Sequence, residues 1–281
     1  MTTRLTSLPL VSKISNRIIR ILGCNPGPMT LQGTNTYLIG TGTRRALIDT
    51  GDTETSTEYI KLLDGVLKRE NVTIEHVIIT HWHHDHIGGV NSIKELLETI
   101  IPNNNPPTVW KLPTPERIPD IASDLLRQCK FLEDEQIIEV EGAKVQIKHT
   151  PGHTTDHACL LLEDEKILFS GDCILGEDME PSVIYPGHGP VIENPVPRIK
   201  HYIQHRQQRE EQILNALKEH GNSSSMSEMD IVQIVYEETP KNLWLAAAVN
   251  VGHHLEKLLK ENKVTGRKSE WKILENGKSN T

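Results

Sequence analysis

Residues 80–89, Thr80-His81-Trp82-His83-His84-Asp85-His86-Ile87-Gly88-Gly89, constrain this chain more than any other stretch. They follow Val77-Ile78-Ile79, a short β-branched apolar run that reads as a buried strand. His81 and His83 leave its end two residues apart, which puts both side chains on the same side. Asp85 and His86 continue on the turn, ahead of Gly88-Gly89 and a helical pattern through Ile93, Leu96 and Leu97. One strand end therefore gathers imidazole nitrogen and carboxylate oxygen, the donor set that suits zinc and its borderline-soft relatives. A single His-x-His pair is common by chance, whereas His-x-His-x-Asp-His after a buried strand is far more specific.

Further ligand types follow at downstream strand ends: Pro151-Gly152-His153-Thr154, Gly171-Asp172 and Pro186-Gly187-His188-Gly189-Pro190. In this order the motifs resemble the metallo-β-lactamase fold superfamily. The resemblance extends to Gly33-Thr34-Asn35-Thr36-Tyr37-Leu38 and Leu47-Ile48-Asp49-Thr50-Gly51, and covers most of residues 15–195. It implies an α/β fold, the αββα sandwich of that superfamily, and a binuclear zinc hydrolase. His81, His83 and His153 would hold one ion, and Asp85, His86 and His188 the other. Asp172 would bridge the two. Ligand type leaves manganese or iron open at one site. Two metals ~3.5–4 Å apart stabilise both the attacking and the leaving oxygen of an in-line displacement. Asp85 could also orient the attacking water, which makes it the candidate catalytic residue. In the superfamily the aspartate matching Asp49 supports the metal-binding loop; local sequence reads equally well as a turn or helix N-cap aspartate.

Two residues are candidate substrate contacts. Asn35 could reach substrate, although Thr34-Asn35-Thr36 is also good turn chemistry. His157 lies four residues beyond His153 and could reach a substrate oxygen, but a lone histidine is more often a structural hydrogen-bonder. His84 and His149 are weaker candidates still.

Composition narrows the function classes. The net charge of −8, from 30 basic and 38 acidic side chains, argues against a surface made for loose nucleic-acid binding. A nucleic-acid substrate stays possible, because two divalent ions would place positive charge where phosphate must sit. The cysteines Cys24, Cys129, Cys159 and Cys173 form no Cys-x-x-Cys pair and read as reduced thiols. No apolar run approaches the ~20 residues of a membrane span, so no membrane partner is expected.

Residues 1–48 hold Arg4, Lys13, Arg17, Arg20, Arg44 and Arg45 and no acidic residue, a bias shared with mitochondrial presequences. Val11 to Leu22 nevertheless reads as a strand or strand pair. Residues 36–39 and 45–49 read as strands, 55–70 as an amphipathic helix, and 137–140 with 144–148 as a hairpin turning at Glu141-Gly142. The proline-rich stretch 101–119 reads as irregular chain. Superfamily members usually carry a helix between the strand ending in Gly-Asp and the strand before Pro-Gly-His-Gly-Pro. Here only Cys173 to Pro181 intervenes, which predicts an extended connection between two parallel strands and puts one cleft wall in doubt.

Pro195-Val196-Pro197 marks the expected domain break, giving a metal-binding domain over 1–195 and a helical domain over 196–281. Helical patterns over 199–219, 226–238 and 243–260, then a hairpin around Thr265-Gly266-Arg267, resemble a winged helix. Residues 198–281 hold 13 basic and 11 acidic side chains, against the acidic balance of the rest.

Three functions compete. The helical tail and the Thr-Pro-Gly-His-Thr…Asp-His form resemble superfamily members that act as metal-dependent endoribonucleases in the mitochondrial matrix. This implies single-stranded RNA as substrate and matrix localisation, with the cytoplasm as the alternative. A glyoxalase II-like thioesterase acting on acyl-glutathione shares the metal loop, yet no basic cluster for glutathione's carboxylates is evident. A non-catalytic binding protein on a hydrolase scaffold fits poorly with a complete ligand set, and β-lactam hydrolysis has the least support.

Overall fold

The computed structural model describes residues 5–101, 105–114, 124–173, 181–220, 225–267 and 269–274. The chain divides into two compact units, 1–199 and 200–281.

Unit 1 is built on two sheets. The first runs β1 (Val11–Lys13), β2 (Ile18–Leu22), β3 (Asn35–Ile39), β4 (Arg44–Ile48), β5 (Thr73–Ile79), β6 (Thr108–Lys111) and β7 (Lys130–Phe131), paired in sequence order. β1 to β4 are antiparallel neighbours, while β4 to β7 are parallel and need crossovers. Those crossovers include α1 (Ser56–Glu70), the short α2 (His84–Ile87) and α3 (Val90–Ile100). α1 buries Tyr59, Leu63, Val66 and Leu67, one face at helical spacing, and stops at Asn71 in the left-handed conformation. That face packs with Ile19, Ile21, Leu38, Leu47, Val77 and Ile93.

The second sheet has the order β12-β11-β10-β9-β8. Its strands are β8 (Ile137–Val140), β9 (Ala143–His149), β10 (Ala158–Leu162), β11 (Ile167–Gly171) and β12 (Val183–Pro186). Ile18, Ile39, Ile48 and Ile78 from the first sheet meet Val145, Ile147, Leu160 and Phe169 from the second in a dry inter-sheet core. Alternation along each strand sends the other face outward. β-Branched and aromatic residues fill these strands because they pack well on a pleated surface. The mixed sheet sandwich is the expected one, with the helices described above on the outer face of the first sheet.

β11 and β12 run parallel, as delivery of Asp172 and His188 to one edge requires. The connection predicted to be extended falls mostly on residues 174–180, which lie outside the described residues. Two strands were not foreseen, β6 and the two-residue β7. β6 lies inside the stretch read as irregular, because only four residues between prolines carry its pattern. Even so, it pairs in parallel with β5 from His76↔Thr108 to Ile79↔Lys111.

Unit 2 contains most of α4 (Pro195–His220), with α5 (Glu228–Val235), α6 (Trp244–Lys260) and the hairpin β13 (Val264–Arg267) and β14 (Glu270–Ile273). Ser227 and Asp230 form a reciprocal capping box that starts α5. Ile213, Leu217, Ile231, Val251, Leu255 and Trp271 form its core. Pro195-Val196-Pro197 is the first turn of α4 rather than a linker, since proline lacks an N–H that this turn would leave unpaired anyway. The chain therefore divides within α4, at 199/200. The hairpin turns after Arg267, with Gly266 inside β13, where a Cβ would sit 2.1 Å from Glu270 O. Among the described residues no helix is long and apolar enough to cross a membrane.

Candidate metal centre

The C-terminal ends of β4, β5, β11 and β12 and the β9–β10 loop converge at one edge of the sandwich, the usual place for a site in sheets of this kind. The two sheets are tied together there. Ala158 N donates to Thr80 O at 2.8 Å, and Asn35 N donates to Gly187 O at 2.7 Å.

His81 and His83 leave β5 with their rings T-shaped, and His153 closes the group from the β9–β10 loop. His83 Nδ1 lies 3.0 Å from His81 Nε2 and 2.9 Å from His153 Nε2. Asp85 and His86 stand on α2, with His188 opposite; His188 Nε2 is 3.2 Å from Asp85 Oδ2 and 3.4 Å from His86 Nε2. Asp172 Oδ2 lies 3.5 Å from His153 Nε2 and 3.3 Å from His188 Nε2. It faces both groups at once. Two sets of mutually close ligand atoms result: His81, His83, His153 and Asp172, and Asp85, His86 and His188.

The chain prepares these atoms. The Thr80 N–H and hydroxyl donate to the Asp49 carboxylate at 2.9 Å each. The Thr80 oxygen is then the acceptor for His81 Nδ1 at 3.0 Å, which leaves His81 Nε2 with a free lone pair. His86 Nδ1 donates to Asp49 Oδ2 at 2.8 Å, with the same result at its Nε2. Asp49 thus supports the metal loop and is no helix cap; it is buried and held at φ 58°. Gly89 allows the 49–51 loop to press against this turn, since a Cβ there would lie 2.1 Å from Thr50 O.

Electrostatics divide the centre. Burial pushes His81 and His83 down, with the His86 charge adding to it. Burial likewise lowers His153 to about 4, so all three imidazoles are neutral near pH 7. His188 is raised to about 9: burial would lower it, but hydrogen bonds with Asp172 and Asp85 prevail. His86 is raised as well, against burial, by Asp172 and Asp49. Burial opposes ionisation of Asp172, yet the His86 charge and hydrogen bonds from His188 and His86 hold it well below the usual carboxylate range.

A cation pair fits these residues. The buried Asp172 Oδ1 has only His86 Nε2 nearby, at 3.4 Å, and a Cβ on Gly187 would lie 2.4 Å from it, so the space beside the carboxylate is kept clear. Neutral His81, His83 and His153 beside an ionised Asp172 are in the protonation states that metal binding needs, and a cation at the second group would displace the protons that Asp172, Asp85 and Asp49 favour on His188 and His86.

Two substrate-contact candidates are corrected. Asn35 is buried, and its Nδ2 donates at 2.9 Å to both Pro186 O and Gly189 O; it pins the His188 loop, with Tyr37 OH donating to Pro186 O at 2.7 Å. His157 is buried with both nitrogens engaged. Nε2 accepts from Asp172 N at 3.2 Å, so the proton is on Nδ1, which donates to Thr150 Oγ1 at 2.9 Å. Both side chains are closed off by burial, including the unpaired Asn35 Oδ1. Asp85 stays partly exposed, at 21%, and accepts from Thr34 Oγ1 at 3.1 Å.

Sequence reasoning overlooked the neighbouring ion pair of Lys111 and Asp156, both fully buried. Lys111 Nζ donates to Leu112 O at 2.8 Å, to Thr114 Oγ1 at 2.6 Å and to Asp156 Oδ2. The pair clamps the end of β6 to the loop bearing His153. Asp156 beside His157 was the available signal; Lys111 gave none, being hidden in an unassigned strand.

Fold and site together define a metal-dependent hydrolase scaffold, and the chain belongs to the metallo-beta-lactamase superfamily, which residues 29–204 match. Residues 227–271 match the beta-lactamase associated winged helix domain. Among curated proteins, the Beta-lactamase-like protein 2 homolog of Drosophila melanogaster is 47% identical, covering 93% of this chain and 94% of its own length. The protein of the same description from Caenorhabditis elegans is 41% identical, over 92% of this chain and 89% of its own. The Drosophila alignment runs to 286 positions, longer than this chain, so that relative carries residues lacking here. A beta-lactamase domain protein from Burkholderia ambifaria shares the fold at TM-score 0.72 and 17% identity, with 95% of each chain covered.

Proposed function

We propose that this protein is a two-zinc phosphodiesterase that cleaves single-stranded RNA internally. The observation that carries the reading is Asp172 Oδ2, placed 3.3–3.5 Å from one imidazole of each ligand group, where one carboxylate could serve a cation in either group. A pair of ions suits phosphoryl transfer, in which attacking and leaving oxygens both carry charge. RNA as the substrate rests on the resemblance of the motif set and helical tail to endoribonucleases of the superfamily.

His81, His83 and His153 would hold one zinc, Asp85, His86 and His188 the second, and Asp172 both. When bound, the ions supply Lewis acidity toward phosphoryl oxygens and bring the pKa of water toward ~7. Asp85 accepts from Thr34 and stays partly exposed, so its remaining lone pairs can orient an attacking water. Asp49 and Thr80 hold the imidazole tautomers throughout.

The test is one substrate panel with zinc-loaded protein: unstructured RNA, DNA of the same sequence, and an acyl-glutathione. RNA should be cut internally, insensitive to blocking of either end, and cutting should stop on chelation or with His83→Ala. Brisk thioester hydrolysis with RNA left intact would overturn the reading in favour of a thioesterase.

A further inference from the structure

Each candidate cation position draws ligands from both sheets, so the way the sheets are tied at this edge sets its geometry. In the first group, His81 and His83 follow β5 of the first sheet, while His153 stands on the loop between β9 and β10 of the second. In the other, Asp85 and His86 also follow β5, while His188 follows β12 of the second sheet.

The loop that carries His153 is thinly anchored. Thr150 N donates to His157 O at 2.9 Å and closes its base, and Gly152 N donates to Thr154 O at 3.0 Å within it. Pro151 and Gly152 are exposed, and a Cβ on Gly152 would meet nothing within 4 Å. Asp156 is the side chain of this loop that reaches past the ligands to the first sheet, where Lys111 receives it. Lys111 sits on β6 opposite Ile79 of β5, two residues before His81, and Asp156 lies three residues beyond His153. The ammonium is fully used, by Leu112 O, Thr114 Oγ1 and Asp156 Oδ2. The pair therefore joins the end of β5 to the His153 loop without touching a ligand. Stability alone does not account for it. Apolar side chains of similar volume are often as stable as a buried ion pair, and Asp156 Oδ1 has no hydrogen-bond partner among the described residues. Fixing one register is the better attested role of such a pair.

The loop that carries His188 has a different tie. Asn35, on β3 of the first sheet, donates to Pro186 O and Gly189 O, one on either side of Gly187-His188.

We infer that Lys111 and Asp156 are positioning residues for the first cation, and that Asn35 positions the second, so that the two affinities are set by separate ties between the sheets. The inference rests on the two-cation reading of the centre and not on RNA as the substrate. Each tie acts by fixing where one imidazole stands, His153 or His188.

The experiment uses the full chain stripped of metal. Zinc is titrated against a chromophoric chelator, and cadmium-113 NMR reports the two positions as separate resonances, assigned with His153→Ala and His188→Ala. Lys111→Met/Asp156→Leu, which leaves neither charge behind, should weaken the first position about 10-fold, at the lower end of what orienting groups contribute, and leave the second unchanged. Asn35→Ala should do the reverse. In metal-free protein, amide hydrogen exchange over residues 150–157 should quicken in the double variant, and exchange over 186–190 should not. A merely structural role would lower both affinities together. Should the double variant fail to fold, Thr114→Val removes one hydrogen bond from each member of the pair and should give a smaller shift at the same position. Equal losses at both positions, or a folded variant with an unchanged first position, would overturn the inference. If the wild type binds one cation or none, the two-cation reading itself fails; if it binds two and every variant shifts both alike, only the separate ties fail.

Discussion

Removing either charge of the Lys111–Asp156 pair should destabilise unit 1 far more than removing both. Each residue is fully buried, so a single deletion strands one charge without water. Such deletions cost about 3–5 kcal/mol, whereas apolar replacement of a whole buried pair is often close to neutral. An independent bound exists for Asp156→Asn. The stranded Lys111 can shed its proton; its pKa is already lowered by burial, against the opposing pull of Asp156. Neutralising an ammonium whose reference pKa is about 10.4 at pH 7 costs at most about 5 kcal/mol, at about 1.36 kcal/mol per pH unit. The two routes agree, and the second adds a pH signature. With a folded-state pKa below the unfolded one, the unfolded chain binds the extra proton, so stability must rise with pH. Asp156→Asn should therefore recover about 1.4 kcal/mol for each pH unit from 7 toward 9. Lys111→Met should show no such recovery. The double variant Lys111→Met/Asp156→Leu leaves Leu112 O without its donor and the part-buried Thr114 hydroxyl without either partner, at about 1–3 kcal/mol for each group that stays dry. Urea unfolding at fixed zinc, followed by tryptophan fluorescence with Trp110 next to Lys111 as a local probe, would measure all three. A double variant as unstable as the sum of the singles, or an Asp156→Asn stability that is flat with pH, would refute the reasoning.

Two further outcomes are expected. Asp49→Ala removes the acceptor that orients His86 and Thr80, and loss of such partners typically lowers metal affinity about 10- to 100-fold. Zinc competition against a chromophoric chelator would show this, and unchanged affinity would remove the orienting role. In unit 2, burial, with the nearby Arg206 charge, pushes His254 down to about 4, while Glu210, 3.9 Å from Nδ1, pulls the other way. Its contribution is complete above the unfolded pKa of about 6.5 and is lost as pH falls toward about 4, up to roughly 3 kcal/mol. Thermal melts of wild type and His254→Gln between pH 7 and 4.5 would check it; parallel curves for the two proteins would count against it.

What was legible in the sequence follows from how each contact is encoded. His81, His83, Asp85 and His86 lie within six residues, so strand and turn geometry alone bring them together. His153, Asp172 and His188 are distant in sequence, yet each sits beside a glycine at a strand end, and parallel strands share an edge. Helix α1 was clear for the same local reason: its buried residues recur at the helical period. Contacts between distant, unremarkable residues left no such trace. Lys111 and Asp156 are 45 positions apart; Asp156 stands beside His157, but nothing around Lys111 signals a partner. A lysine after Val109-Trp110 reads as the polar end of a loop.

Asn35 and His157 show the reverse failure, in which a polar residue near a site is taken for a ligand of the substrate. Both serve the backbone instead. Asn35 closes two carbonyls of the loop that carries His188, about 150 positions away in the chain. His157 accepts the N–H of Asp172 itself. Each loop at this edge leaves strand hydrogen bonding in order to present a ligand, and buried backbone groups freed in this way must find other partners. A centre made of loop residues from two sheets therefore needs polar side chains that never touch substrate. The hydrogen bonds of Asn35, Asp49, Thr80 and His157 are the means by which seven ligand atoms are held close together before any cation arrives. On this reasoning, polar residues beside such a centre belong to the substrate only when they keep both exposure and an unused donor or acceptor, and among the residues singled out here Asp85 meets that condition.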